Sequence, residues 1–352
     1  MRIIQKYITI NLVSLTLLAL FALSALFLFF SLIDQLGDTG RGHYGIRQAL
    51  MYVLLTAPRL AYELFPVAAV IGSMAALGIL ARNSELAVIR TSGVSRLDLA
   101  YALAKGGMIL VIIAIIIGEL IAPVSEEKAQ HMRSMAMSKQ IVLKTHYGFW
   151  ARDGNSYINI RKILPGERVE QVYIYEFDDS NQLRNSTFAR VGSYAHGQWQ
   201  LQDIEQTILA EDKISKRHLK RAAWASLLDP QMINFVTIKP QYLTVWGLFR
   251  YIAFLEQNAQ NTLLYEQALW IKLTRPFSII AMLLLAVPLV QSNSRVTLVG
   301  QRVFVGTLIG IVFHLCNQTA AQLGVVYNIP SSISVTLPTV LLLAMIFWLL
   351  RK

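Results

Sequence analysis

Apolar residues in this chain gather into long blocks separated by polar intervals. Crossing a bilayer as a helix takes about 20 mostly apolar residues. Six blocks meet or approach that length: residues 8–33, 64–80, 101–122, 273–290, 303–323 and 333–350. The second is the shortest, and it holds Pro66, Gly72 and Gly78, which membrane helices tolerate better than soluble ones do. Between the third and fourth blocks the pattern changes. Stretches such as Val172-Tyr173-Ile174-Tyr175-Glu176-Phe177 are aromatic and β-branched, and turn formers bound them at Asp153-Gly154-Asn155, Pro165-Gly166, Asp178-Asp179-Ser180-Asn181 and His196-Gly197. This spacing predicts short antiparallel strands over about 141–238, built as a sandwich, jelly roll or barrel. Helical patterns flank the strands. Ser125 to Lys139 carries Glu126 and Glu127 early and Arg133 and Lys139 late, the order that suits the helix dipole. Thr244 to Gln257 and Asn261 to Lys272 read as helices leading into the fourth block. The expected fold is an α-helical polytopic membrane protein with six transmembrane helices and an inserted β domain. Residues 1–122 hold the first three spans, 123–268 the insertion and 269–352 the last three.

Composition supports this reading. Of 352 residues, 55% are hydrophobic and 15% charged, against about 25% charged in an ordinary soluble domain. Both a soluble globule and a disordered chain are disfavoured. The N-terminal block follows Arg2 and Lys6 but is too long for a signal peptide, and no small-residue cleavage site closes it, so it reads as an uncleaved anchor. The single cysteine, Cys316, excludes a disulfide framework within the chain and reads as a small apolar filler.

The net charge of +11 would suggest nucleic acid on a soluble chain. Its location suggests otherwise. With the N-terminus inside, the cytoplasmic pieces hold Arg2, Lys6, Arg82, Arg90, Arg96, Lys105, Arg295, Arg302, Arg351 and Lys352. The short opposite loops hold only Arg41, Arg47 and Arg59. This bias places both termini in the cytoplasm and the long insertion outside. Residues 123–266 are nearly balanced, with 17 basic and 15 acidic side chains. The surplus therefore lies beside the membrane, which fits bilayer orientation and anionic lipid contact.

Enzyme signatures are missing from the sequence. It has no phosphate-binding G-x-x-x-x-G-K-[ST] loop, no H-E-x-x-H and no G-x-S-x-G. The six histidines are scattered, and Asp178-Asp179 reads as a turn. Polar residues inside the spans carry more information. Glu119 reads as an interfacial carboxylate near the outer end of the third span. His314, Asn317 and Gln318 share one face of the fifth, suited either to hydrogen bonds between helices or to a substrate. Gly306 and Gly310 form a G-x-x-x-G close-packing pattern.

The loop between the second and third spans, about 82–93, reads as a short amphipathic helix with Gly93 as its C-terminal cap. Such a helix can lie on a partner protein or on lipid headgroups. Its string Ala81-Arg82-Asn83-Ser84-Glu85-Leu86 … Thr91-Ser92-Gly93-Val94-Ser95 resembles the coupling-helix signature of the LptF/LptG permeases, membrane subunits of the lipopolysaccharide exporter of Gram-negative bacteria. The likeness extends along the chain. It takes in Asp34-Gln35-Leu36, Phe65-Pro66, Gly118-Glu119 … Ala122-Pro123, Tyr147-Gly148-Phe149-Trp150-Ala151-Arg152-Asp153-Gly154 and Trp270 … Lys272 … Pro276-Phe277. Within the family it is more similar to the LptG branch than to LptF.

The resemblance implies a multi-pass inner-membrane subunit with a periplasmic β-jelly-roll domain. It implies an LptF-like permease as heterodimer partner, an LptB-like ATPase dimer that uses ATP and Mg²⁺, and an LptC-like jelly-roll protein. The chain itself would bind no cofactor and catalyse nothing. Glu85 becomes the expected contact to the ATPase, flanked by Arg82, Arg90, Ser92 and Gly93, with Leu86 and Ile89 packing into the ATPase groove. Lipid A phosphates attract basic side chains, so Arg59, Arg133, Lys128 and Lys272 are headgroup candidates, and Phe65 a lining residue of the acyl-chain cavity. Each basic residue is equally suited to reaching ordinary headgroups. In one respect the sequence departs from the family. Where several members carry lysines after Asp-Gln-Leu, this chain has Gly37 and Asp38, which brings in Arg41 and Arg47 instead. A membrane sensor whose outer β domain binds a ligand is the alternative, and a membrane-embedded enzyme lacks its constellation.

Overall fold

The structure, a computed structural model, describes residues 2–137, 149–153, 155–164, 168–178, 180, 182, 183–195, 198–210, 213–224, 240–258, 260–292 and 299–351. Among them are six helices long and apolar enough to cross a membrane. They are α1 (Arg2–Leu36), α2 (Ile46–Arg82), α4 (Arg96–Ile116) with its continuation, α7 (Leu263–Ser292), α8 (Val299–Val326) and α9 (Ser331–Arg351). Short α3 (Glu85–Thr91) joins α2 to α4. Beyond Ile116 the chain passes through one π-helical turn (Ile117–Ile121) into α5 (Ala122–Met137) without changing direction. A six-stranded sheet follows, then a 3₁₀ turn (Pro240–Tyr242) and α6 (Val245–Gln257).

Helix α2 is the hub. It packs against α1, α5, α7 and α8, and 78% of its apolar window is buried, against 17% for α8. Its packing rests on small residues. A Cβ at Gly72 would run into Thr16 of α1. Cβ atoms at Gly306 and Gly310 would come within 3.1 Å of Met74 and 3.0 Å of Val67. The G-x-x-x-G face of α8 therefore docks on α2 of the same chain. Helix α2 also starts 18 residues before the apolar block that marks it in the sequence. Arg47 and Arg59 consequently stand on a helix and not in a loop. The added turns bury Ala49, Tyr52, Val53 and Thr56, and their interleaved polar residues hide that face from a count of apolar runs.

The sheet comprises β1 (Phe149–Asp153), β2 (Ser156–Leu164), β3 (Arg168–Phe177), β4 (Leu183–Ala195), β5 (Gln198–Ala210) and β6 (Lys213–Trp224). Each described strand pairs antiparallel with its sequence neighbour. One face buries Ile158, Ile160, Val172, Ile174, Ala189 and Leu201. Gln171 and Asp203 adopt φ of 55° and 54°, and the register skips both. The pairing lapses at these left-handed residues without a change of register, and the two-residue alternation slips by one there, so Val169 and Val172 face the core together, as do Leu201 and Ile204.

Helix α6 connects the sheet to the bundle. Tyr251, Phe254 and Leu255 pack on the sheet core, while Leu248 and Ile252 pack on Ala268 and Leu269 of α7. One short amphipathic helix thus contributes to two cores. Burial raises the pKa of the Tyr251 hydroxyl, so it stays a neutral phenol within this contact.

Candidate functional site

A cavity of about 510 Å³ opens among α2, α5, α7, α8 and α9 at the end of the bundle nearest the β insertion. Its walls are more polar than a membrane interior normally allows. Arg59, Tyr62 and Glu63 come from α2, Lys272 and Arg275 from α7, and His314, Asn317 and Gln318 from α8. The polar face of α8 read in the sequence is therefore a cavity wall. The Asn317 Oδ1 atom is buried there without a hydrogen-bond partner among the described residues.

Backbone irregularities assemble this site. Pro66 has no N–H, so the Tyr62 carbonyl loses its helical donor. The Arg275 Nη1 atom donates to that carbonyl at 3.0 Å, and its guanidinium lies 4.5 Å from the Tyr62 ring centroid. The same ring presses on Gly118, where a Cβ would overlap it. Gly118 lies in the π-helical turn, which places Glu119 between two elements. The backbone N–H of Val245, first residue of α6, donates to Glu119 Oε2 at 2.7 Å. Lys272 Nζ donates to Glu119 Oε1 at 2.7 Å and to the Gly118 carbonyl at 3.3 Å. Thr244 caps the first turn of α6 by accepting from Gly247 N–H at 3.0 Å. A carboxylate at that helix N-terminus is favoured by the exposed N–H groups and the dipole. Glu119 is thus a junction between the third span, the fourth span and the strut to the β-sheet, and not a bare interfacial carboxylate.

The headgroup candidates fall into three groups. Arg59 is shared by Glu126, at 3.0 Å, and Glu63, at 2.9 Å, and its guanidinium lies 5.1 Å from the Tyr242 ring centroid. Desolvation raises the Tyr242 pKa despite that neighbouring cation. Lys272 is buried on Glu119, as described. Arg41 and Arg133 both pair with Asp38, at 2.6 Å and 2.7 Å. The residue that departs from the family pattern thus occupies the two cations nearest it. Lys128 and Arg47 are exposed. Phe65 requires a correction. It is 0% exposed inside the bundle core, whereas its neighbours Pro66 and Val67 line the cavity. In a helix, adjacent residues point about 100° apart, so the lining face passes beside Phe65.

The short helix also needs correction in detail. Arg82 is the last residue of α2, and α3 begins at Glu85 after a turn through Ser84. Leu86 and Ile89 are buried in the chain's own core, so they cannot also fill a partner's groove. The outward residues are Ala87, Val88 and Thr91, with Glu85 at the edge. Asn83 Nδ2 donates to Glu85 Oε1 at 3.1 Å. Ser92 Oγ donates to the Ile89 carbonyl at 2.8 Å, closing the helix. Gly93, at φ 89°, takes the left-handed cap position. The side chain of Arg90 lies outside the described residues.

The cavity residues that sequence reading missed are Glu63, Tyr62 and Arg275. Pro66 was the available signal, since a proline within a span leaves a carbonyl in need of a donor.

Comparison with known proteins agrees with this architecture. The family model for the lipopolysaccharide export system permease LptF/LptG matches residues 6–352. The lipopolysaccharide export system permease protein LptG of Haemophilus influenzae is 33% identical over 340 residues, covering 96% of this chain and 94% of its own length. The protein of the same name from Escherichia coli K12 is 31% identical over 353 residues, covering 99% and 98%. A match over nearly the whole chain includes the spans, the insertion and the α3 loop together. The chain belongs to the LptF/LptG family of lipopolysaccharide export permeases.

Proposed function

We propose that this chain is the LptG-type permease subunit of an ATP-driven lipopolysaccharide exporter in a Gram-negative inner membrane. The observation that carries the reading is the near end-to-end match to the LptF/LptG family. Six spans and an inserted β-sheet support it, as does a short helix anchored at the opposite end of the bundle. In this reading α3 faces the cytoplasm with both termini, and the sheet is part of a periplasmic jelly roll. The chain pairs with an LptF-like permease, and an LptC-like protein receives the lipid from the β domain. An LptB-like ATPase dimer sits below, using ATP and Mg²⁺, so the chemistry belongs to the partner. This chain contributes force transmission.

Physically, α3 suits that task because it is tied to the spans it must move. Leu86 and Ile89 bury in the bundle core, so displacement of α3 is passed to α2 through packed side chains and to α4 through the chain. Glu85 offers a carboxylate to a basic groove, Val88 supplies apolar contact, and Arg82 and Arg90 flank them in the sequence. At the other end, α6 and Glu119 link bundle motion to the β domain. Lipopolysaccharide is drawn from the outer leaflet with its phosphates near the outer ends of the spans. Lys128 and Arg47 are the exposed cations there. Arg41 and Arg133 can offer the lipid the donors that Asp38 does not take, and Arg59 and Lys272 act mainly in holding the bundle. Gly93 sets the exit of the chain from α3.

The test is co-purification from a Gram-negative membrane, with mass spectrometry of the proteins and lipids retained. Recovery of a second permease, an ATPase and lipopolysaccharide is expected. Substituting Glu85→Lys lowers ATPase recovery and lipid release. Full assembly and transport by that variant would remove Glu85 from the coupling path.

A further inference from the structure

The cavity at the β-insertion end has a charge pattern that export does not require. Its three cations, Arg59, Lys272 and Arg275, face Glu63, Glu126 and, behind Lys272, Glu119. This balance gives no preference for a simple anion. Two of these groups keep unused capacity, and they have opposite signs. A guanidinium has five N–H donors, and Arg275 uses Nη1 on the Tyr62 carbonyl. Among the described residues no carboxylate stands at ion-pair distance from it. Glu63 accepts at Oε1 from Arg59, and its Oε2 has no partner among the described residues. Arg59 is already shared with Glu126. Arg275, Glu63 and His314 all line this one cavity, so the two groups address the same space. The Tyr62 ring and the Gly118 contact hold Arg275 in position. The volume of about 510 Å³ lies within the range of small-ligand sites.

We propose that this cavity takes a zwitterionic headgroup, a phosphate ester carrying a primary ammonium, with the phosphate on Arg275 and the ammonium on Glu63. Association is noncovalent, and no bond is made or broken. An aminophospholipid and a phosphoethanolamine-bearing glycolipid both supply this chemistry. The inference goes beyond the exporter reading and is tested without ATP or transport.

The full chain, in whatever complex it purifies with, is titrated in detergent with dioleoyl phosphatidylethanolamine, phosphatidylcholine or phosphatidylglycerol, and bound lipid is read by native mass spectrometry. Phosphatidylethanolamine is expected to bind roughly tenfold tighter than the other two, because a trimethylammonium has no N–H to donate and a glycerol headgroup carries no cation. Glu63→Gln is expected to weaken phosphatidylethanolamine about tenfold and leave phosphatidylglycerol unchanged. Arg275→Gln is expected to weaken both. A general folding defect would lower all three lipids together, so the Glu63→Gln contrast separates binding from stability. Equal binding of phosphatidylethanolamine and phosphatidylcholine overturns the proposal, as does equal weakening of every lipid in Glu63→Gln. A phosphoethanolamine-bearing glycolipid is then added as competitor. Displacement assigns the site to both sources and no displacement to the phospholipid, and either result supports the headgroup chemistry.

Discussion

Lys272 shows how a charge inside a span is retained. Its side chain is only 6% exposed and depends on Glu119 and the Gly118 carbonyl for compensation. Removing one member of a buried pair leaves the other unpaired, at a cost of about 3–5 kcal/mol. Lys272→Met is therefore expected to lower the thermal midpoint of the purified protein, followed by tryptophan fluorescence in detergent. Glu119→Gln should cost at least as much, because the amide can still accept from the Val245 N–H but leaves the more deeply buried Lys272 ammonium without a counter-ion. The double variant should recover part of the loss, since nothing charged is left stranded. Gly118→Ala is predicted to displace the Tyr62 ring and destabilise by about 1–3 kcal/mol, and to loosen Arg275 with it. The residue types at these positions were legible in the sequence, because ionisable groups in a span announce themselves. Their pairing was not. Lys272 meets Glu119 across 153 positions of chain, and Arg59 meets Glu126 across 67. A basic residue near a membrane surface has headgroups as ready alternatives, and sequence alone gives no means of choosing.

The elements differ in how clearly they were written. Long apolar runs made five of the spans plain. Helix α2 was understated because its first turns alternate polar and buried residues. The strands suffered from the left-handed residues Gln171 and Asp203, each of which breaks the period that marks a strand. The most consequential miss was the orientation of α3. Its apolar positions 86 and 89 were assigned to a partner, but a seven-residue helix held between two spans needs them to anchor itself. Two variants separate the faces. Leu86→Asp puts a charge into the core and is expected to unfold or destabilise the chain. Val88→Asp alters a side chain that is 66% exposed, so it should leave the thermal midpoint unchanged while reducing ATPase recovery in co-purification. Equal retention of the ATPase by Val88→Asp and wild type would mean that the outward face of α3 is not a contact. Helix α6 is open to a similar test. Phe254→Ala removes a buried ring from the sheet contact, a loss of about 3–5 kcal/mol for a core phenylalanine. Hydrogen exchange should then rise in α6 and in β5 and leave α8 and α9 as they were.

For the molecule as a whole, the remaining question is which end of the bundle faces which compartment. The structure separates the two ends: α3 lies at one with the last turn of α7 and the first turn of α8, and the β-sheet with Glu119, Arg59 and Asp38 at the other. Ten basic residues flank the spans on the α3 side in the sequence against Arg41, Arg47 and Arg59 on the other, which favours the α3 end as cytoplasmic. The cavity argument needs the opposite end to meet the outer leaflet. Both requirements are met by one orientation, and a single labelling experiment decides it. Cys316 is the sole cysteine, so a Cys316→Ser background accepts one new thiol at a time. Ser92→Cys after α3 and Ser215→Cys on the exposed strand β6 are each surface positions. A membrane-impermeant maleimide is applied to cells whose outer membrane has been made permeable and whose inner membrane is intact. The thiol at position 215 is expected to label at once, and the thiol at 92 only after lysis. The reverse pattern would put α3 in the periplasm, away from any ATPase. Force could not then enter the bundle through Glu85, and transport by this chain would need another route.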